Sequence, residues 1–355
     1  MYTSLEIKGF RCFKHLTIPK LARLNLIGGK NNTGKTALLE ALGLHASAVI
    51  APNPIVLNYY FLRRLGRAEI GALGFRDLFG GFPDRGAATV SLGLSGSPDD
   101  RVLLSCDAAD RTSRSLGDRA STASTTPSYS PIRDRPDRKL SIGAGNAQAW
   151  ITVSADGIDM DAQGSPGLAR PPCYSVDAGR RIDTTFLADR FSDLRQRQRE
   201  APLVALLARV EPRLLAVEVD SRGGQPVLSA NLGEDGRMLL SLLGEGMHGL
   251  CAILLGLQYV VHGLLLVDEI ENGLHYSVMP DVWRAIAEAA TELDVQVFAT
   301  THSHECVEAA YEATEGMPED TFLFHRLSRV GDEIRSTTYE RDMLEAAFET
   351  HLEVR

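Results

Sequence analysis

Four clusters of residues in this chain are of the types that handle phosphate, divalent cations and water. The first is Gly29-x4-Gly34-Lys35-Thr36. Glycines let backbone N–H groups curl around phosphate oxygens with no Cβ in the way. Lys35 brings a point charge for β- and γ-phosphates, and the Thr36 hydroxyl is an oxygen ligand suited to Mg2+. Asn31, Asn32 and Thr33 complete the loop. Ala37 follows at the start of an Ala/Leu-rich run, so a helix dipole points its positive end at the same anion. This chemistry calls for ATP with Mg2+ as the bound group.

The second cluster is Leu264-Leu265-Leu266-Val267-Asp268-Glu269. An apolar tetrad of this kind suits a parallel strand buried on both faces. Asp268 then emerges at the C-terminal end, where α/β sheets bind ligands, and can hold Mg2+. Glu269, one residue on, can polarise an attacking water. The third cluster, Val295 to Ser303, is another apolar strand that ends in Thr300-Thr301-His302-Ser303. His302 at such an end can reach a γ-phosphate. His302-Ser303-His304-Glu305 resembles a metal cluster only superficially, because no further ligands are evident. The fourth is Gly244-Glu245-Gly246 ahead of an apolar helix. It reads either as an ordinary helix-start turn or as a second phosphate cradle, which makes most sense if it caps the nucleotide of a facing subunit.

These clusters need strands and helices behind them. Short strands are expected at Ser4–Lys8, Phe13–Ile18 and Arg23–Ile27, then the Gly-rich loop and a helix through Ser47. Residues 55 to 79 read as partly helical. A strand is expected at Ala149–Ser154, one helix over Arg190–Arg209, and a hairpin of Leu214–Val219 with Val227–Asn231. Gly249 to Val267 is apolar enough to suggest a membrane span. It ends in two acids and is broken by glycines, so it reads as a buried helix, a turn near His262-Gly263 and a buried strand, with no membrane partner. A helix at Tyr276–Leu293, a hairpin of Phe322–Leu327 with Glu333–Tyr339, and a closing helix at Asp342–His351 complete the chain.

Composition narrows the function classes. The 355 residues are 44% hydrophobic and 23% charged, with a formal net charge of −9. That excludes a wholly disordered or collagenous chain and argues against a protein built to coat nucleic acid. Five scattered cysteines without a CxxC pair make a disulfide framework or zinc ribbon unexpected and fit a cytoplasmic location. The opening residues lack an apolar signal core. Residues 93–148 are rich in Ser, Thr, Asp, Gly, Pro and Arg, and read as an insertion with poorly ordered loops. Within it, Arg111 to Lys139 carries seven basic and three acidic residues. This stretch is either a solvated loop or a contact surface for double-stranded DNA or a partner.

Taken together, the motifs resemble the ABC-type ATPases of the SMC/RecF/OLD branch, in particular small stand-alone prokaryotic AAA family ATPases similar to the OLD-family ATPase domain. Lys8-Gly9-Phe10-Arg11-Cys12-Phe13 and Ile27 to Thr36 are similar to that branch's N-terminus. Asp268-Glu269-Ile270-Glu271-Asn272-Gly273-Leu274-His275 resembles its extended Walker B and D-loop, and Thr300-Thr301-His302-Ser303 its switch-histidine motif. The resemblance covers about residues 1–50 and 235–355. It implies an α/β P-loop fold with a mixed, largely parallel central sheet, an N-terminal antiparallel β lobe and an inserted subdomain. The corresponding division is 1–90, 91–180 and 181–355. It also implies that Lys35 and Thr36 bind phosphate and Mg2+, that Asp268 supports Mg2+, that Glu269 is the catalytic carboxylate and that His302 senses the γ-phosphate. Gly244-Glu245-Gly246 would be the signature loop, acting in trans within a homodimer, with Gly246 closest to the phosphate. Gly244 stands where LSGGQ has serine, Ile270 replaces the usual proline, and no Q-loop glutamine can be placed.

Relatives of this kind carry or pair with a Toprim nuclease and are linked to anti-phage defence. The segment after His302 offers only a hairpin and a helix, so a Toprim-like partner would be a separate chain. The expected activity is ATP hydrolysis by a dimeric switch. The alternative is an ATP-binding scaffold with little turnover. A transporter subunit fits poorly, given the long interval from Gly34 to Gly244 and the absence of LSGGQ.

Overall fold

The structure is a computed structural model that describes residues 1–47, 87–91, 101–108, 138–144, 147–154, 157–163, 171–178 and 184–350. Its centre is β3 (Leu24–Gly29), a strand buried at every position. Continuous apolar sequence of this sort is stable only when both faces are covered. Parallel neighbours flank it: β14 (Gln296–Thr300) on one side and β15 (Phe322–Val330) on the other. Beyond β14 lie β13 (Leu264–Asp268) and β9 (Cys173–Asp177), both parallel. Antiparallel β16 (Glu333–Tyr339) closes the far edge, giving the six-stranded order β16-β15-β3-β14-β13-β9. The C-terminal ends of β3, β14 and β13 thus lie side by side, although distant in sequence.

A seven-stranded antiparallel sheet forms the second layer, in the order β2-β1-β4-β5-β6-β7-β8. It is built from β1 (Leu5–Phe10), β2 (Phe13–Ile18), β4 (Ala87–Ser91), β5 (Arg101–Ala108), β6 (Arg138–Ala144), β7 (Ala147–Ser154) and β8 (Gly157–Gln163). Between the layers runs α1 (Lys35–Ser47). One apolar cluster joins Phe10, Phe13 and Leu16 to Leu38, Leu42 and Phe298, so the helix that begins at the Gly-rich loop is held by both sheets.

The opposite face of the six-stranded sheet is covered by helices: α2 (Thr184–Gln196), α3 (Ala201–Val210), α4 (Glu245–Tyr259), α5 (Met279–Glu292), α6 (His304–Ala313) and α7 (Arg341–Glu349). A small sheet of β10 (Ala216–Arg222), β11 (Gln225–Asn231) and β12 (Arg237–Leu239) packs beside α2. Leu250, Leu255, Leu265, Val297, Trp283 and Ile286 belong to this larger core. The run from Gly249 to Val267 is therefore mostly buried inside the domain, with Tyr259, Val261 and His262 exposed at its turn. Among the described residues no helix is long and apolar enough to cross a membrane.

The mixed α/β architecture with an N-terminal antiparallel layer is as expected, and so are most elements. Differences have local causes. The expected single helix at Arg190–Arg209 is two helices, because Pro202 lies in the first turn of α3 and would clash with the carbonyl of residue 198 in a continuous helix. Gln198 takes a left-handed φ of 56° at the break. Five further elements were not expected: β4, β8, β9 and β12, all short strands, and α6, hidden behind the cluster of polar residues at His302–Glu305. Parts of the 93–148 stretch are strands, β5 and β6, and their sheet runs across the expected boundary at residue 90. The helical reading of 55 to 79, the Arg-rich segment between 109 and 137, and the last residues of the closing helix lie outside the described residues.

On β15, His325 is fully buried between Thr338 Oγ1 at 3.1 Å and Asn25 Oδ1 at 3.2 Å, one strand away on each side. Burial pushes its pKa from 6.5 down to about 3. Between those values the unfolded chain holds a proton that the native state does not, so stability falls as the pH drops. Such a group contributes roughly 1.4 kcal/mol per pH unit. The expected result for His325→Gln is a shallower loss of unfolding free energy between about pH 6 and 4, read by urea titration at each pH.

Candidate functional site

At the end of β3 the chain turns through Gly29 and Gly34, with φ values of 138° and 90°. At Gly34 the requirement for glycine is double. Its φ is left-handed, and a Cβ there would lie 2.6 Å from Cys12 Sγ and 2.7 Å from the Phe13 ring. The β1–β2 hairpin is thus pressed against the loop and fixes its shape. Thr33 Oγ1 donates to Lys30 O at 2.8 Å, and the Arg329 guanidinium donates to Asn32 O at 3.3 Å. Asn31 and Asn32 are exposed at the loop tip, while Thr33, Lys35 and Ala37 are buried and Thr36 is half-buried.

Lys35 is the notable charge. Its ammonium donates to the carbonyls of Gly29 at 2.6 Å and Lys30 at 3.1 Å. Burial lowers its pKa, while Asp268, Glu271 and Glu269 act in the other direction. A buried cation whose hydrogen bonds among the described residues go to carbonyl oxygens fits an anionic ligand that can replace those contacts.

Asp268 closes the next strand and is also buried. Thr36 Oγ1 donates to its carboxylate at 3.0 Å, and Thr300 Oγ1 donates to it at 2.6 Å. Three hard oxygen donors therefore meet at one point. Mg2+ is commonly held by one or two protein oxygens, with phosphates and waters supplying the rest. The pair Thr36–Asp268 fits that pattern. Among the described residues no group of three or more His, Cys, Asp or Glu side chains is arranged to hold a metal ion.

Glu269 has a left-handed φ of 55° for which its residue type has no preference. Its amide donates to Thr300 Oγ1 at 2.9 Å, and the Ile270 amide donates to Thr300 O at 3.1 Å. Thr300 thus grips both sides of the turn, and the Glu269 side chain swings out to lie exposed. There, Glu269 Oε1 lies 3.9 Å from His302 Nε2. The His302 amide in turn donates to Glu271 Oε1 at 2.6 Å.

Gly244-Glu245-Gly246 forms the start of α4. Gly244 and Glu245 are exposed, and space is open on the side of Gly244 that a Cβ would take. Gly246 is pressed against Gly273, in the turn after the acidic pair, where a Cβ would meet the Gly273 carbonyl oxygen at 2.0 Å. The structure therefore unites Lys35, Thr36, Asp268, Glu269 and His302 in one cluster and ties Gly246 to the turn beyond it.

Two members of the cluster escaped the sequence reading as site residues, Thr300 and Glu271. Both stood within quoted motifs, yet neither spacing nor type marked them. The pairing of β13 with β14 brings Thr300 to Asp268 and Glu271 to the His302 amide.

Known proteins share parts of this chain. Residues 173–308 match a family described as AAA domain, putative AbiEii toxin, Type IV TA system, and residues 1–48 match an AAA ATPase domain. An uncharacterised protein of Methanocaldococcus jannaschii is 44% identical over 48 residues, 14% of this chain and 22% of that protein. An ATP/GTP phosphatase of Helicobacter pylori is 42% identical over 60 residues, 17% of this chain and 16% of that protein. Both alignments thus span under a quarter of the relative's length. Among solved structures, the SMC head domain from Thermotoga maritima aligns over 96% of this chain and 99% of its own, at 14% identity and a TM-score of 0.44. An Smc head bound to the C-winged helix domain of ScpA aligns over 98% and 99%, at 13% identity and a TM-score of 0.49. The two segments that supply the strands and loops of the cluster are thus similar to AAA ATPase domains.

The Thr300 hydroxyl is a fully buried link to an ionised side chain. Thr300→Val keeps the shape and removes the bond, which is expected to cost about 1.5–3 kcal/mol. Thr300→Ser should recover most of that loss. Urea unfolding of the three proteins measures both effects.

Proposed function

We propose that this protein is a Mg2+-dependent ATP hydrolase that works as an ATP-gated dimeric switch. The observation that carries the reading is the unbroken chain of contacts from Thr36 through Asp268 and Thr300 to Glu269 and His302. Each residue has a role that its position supports. Lys35 exchanges its carbonyl contacts for β- and γ-phosphate oxygens. Thr36 and Asp268 hold Mg2+, which when bound neutralises charge on the phosphates. Glu269, exposed and left-handed, orients the attacking water and takes its proton. His302, beside Glu269, contacts the γ-phosphate and reports its loss.

The dimer rests on a different feature. Gly244 and Glu245 are solvent-facing at a helix N-terminus, a place that favours anions. In this reading they cap the nucleotide of a second copy, and hydrolysis releases the two copies. The output is control of a separate effector chain, such as a Toprim-like nuclease, or of double-stranded DNA, in the cytoplasm and in the service of anti-phage defence. SMC heads offer a parallel for partner control, since solved examples are bound to ScpA.

The test is ATP turnover and sedimentation of wild type and Glu269→Gln, with and without MgATP. Wild type is expected to turn over and to dimerise with ATP. The variant should dimerise and lose hydrolysis by about 10²–10⁴-fold, the usual range for a positioned general base. Equal turnover in the two proteins removes Glu269 from its role. Stable ATP-bound dimers without wild-type turnover establish a scaffold instead. Double-stranded DNA added to the same series should bind with an affinity that falls as salt rises; no binding even at low salt removes DNA from the output.

A further inference from the structure

The loops that follow β13 and β14 are laced together in both directions. From the β14 side, Thr300 receives the amides of Glu269 and Ile270. From the β13 side, Glu271 reaches back to the amide of His302 at 2.6 Å. That amide lies past the last ladder residue of β14 and has no strand partner. Its neighbours are anchored elsewhere. The Thr301 amide donates to Ile27 O at 3.0 Å, and the Ser303 amide donates to Thr301 Oγ1 at 3.0 Å. Glu271 therefore supplies the bond that ties the His302 peptide to the acidic turn.

The residue type is informative. Glu271 Oε2 is buried and makes no hydrogen bond among the described residues. Leaving a carboxylate oxygen in that condition is costly, so packing alone does not call for glutamate here. A charged acceptor gives a short, strong bond to a peptide N–H, and a long side chain reaches it from the neighbouring loop.

We propose that Glu271 is a positioning residue for His302: its carboxylate fixes the peptide that carries the imidazole and so sets the imidazole beside Glu269. The proposal rests on the ATPase reading above for its kinetic consequence, while its structural core does not. With the peptide held, the imidazole has only its own side-chain torsions to settle before it meets the γ-phosphate. With the peptide free, the His302 peptide itself must also be ordered at each turnover, between neighbours that stay anchored. The loss belongs to the transition state more than to nucleotide binding, because Lys35 and Thr36 stand on a different loop.

Three substitutions separate this from a general structural role. Glu271→Gln keeps an acceptor oxygen for the His302 amide. Glu271→Leu removes it, and Glu271→Ala serves if the leucine variant fails to fold. His302→Ala is combined with each. The first readout is hydrogen exchange at the His302 amide in the full chain, which needs no turnover. Exchange is expected to be at least about tenfold faster in Glu271→Leu and near wild type in Glu271→Gln. The second is steady-state ATP hydrolysis. Glu271→Leu should lower kcat by about 10–100-fold with KM little changed, Glu271→Gln should retain most of it, and Glu271→Leu should add nothing to His302→Ala.

Unchanged exchange in Glu271→Leu overturns the proposal. So does a full further loss on top of His302→Ala, or a loss in Glu271→Gln as large as in Glu271→Leu. An inactive wild type defeats the hydrolase reading alone, since the exchange measurement still decides the part played by Glu271.

Discussion

The Asp268 carboxylate is the interaction on which the rest of the site depends. It is a buried negative charge at the end of a buried strand, and such a charge persists only if hydrogen bonds replace the water it lost. The hydroxyls of Thr36 and Thr300 provide them, one from the helix after the Gly-rich loop and one from the adjacent strand. Because each donor belongs to a different segment, satisfying this one group brings three segments to a common point. Thr300 then extends the constraint by accepting the Glu269 amide, which holds a left-handed residue in place. Strain of this kind persists where surrounding structure over-determines it.

The fold supplies that over-determination through its layers. α1 is clamped between the antiparallel sheet and the six-stranded sheet by Phe13, Leu38, Leu42 and Phe298. Cys12 and Phe13 press directly on Gly34. The β1–β2 hairpin, which carries no chemistry, therefore decides the shape of the loop that does. On the other face α4 packs on the strand bearing Asp268, and its first turn meets Gly273. A shift of the turn after the acids would be felt by the exposed Gly244-Glu245 edge, because two backbones in direct contact cannot move independently.

Electrostatics sets the resting condition. Lys35 lies in a burial environment that disfavours its charge, near three carboxylates that favour it. Its close partners are carbonyl oxygens, which a phosphate can displace at modest cost. Acidic groups on one side and a cation on the other place opposite charges close together in one site.

Much of this was legible in the sequence, for a local reason. A phosphate cradle needs glycines at fixed offsets, a strand buried on both faces needs an unbroken apolar run, and hairpins need turn residues; each requirement is written in adjacent positions. Lys35, Thr36, Asp268, Glu269 and His302 could be named from such signals. The single helix expected at Arg190–Arg209 failed because apolar periodicity outweighed Pro202, and β9 was missed because its alternation runs over only five residues. The tertiary structure alone decided the hydrogen bonds that join the loops. Thr300 with Glu269, and Glu271 with His302, are each separated by 31 positions. Which of several threonines and glutamates meets which backbone amide depends on the register of parallel strands, and that register is set by the packing of the whole sheet.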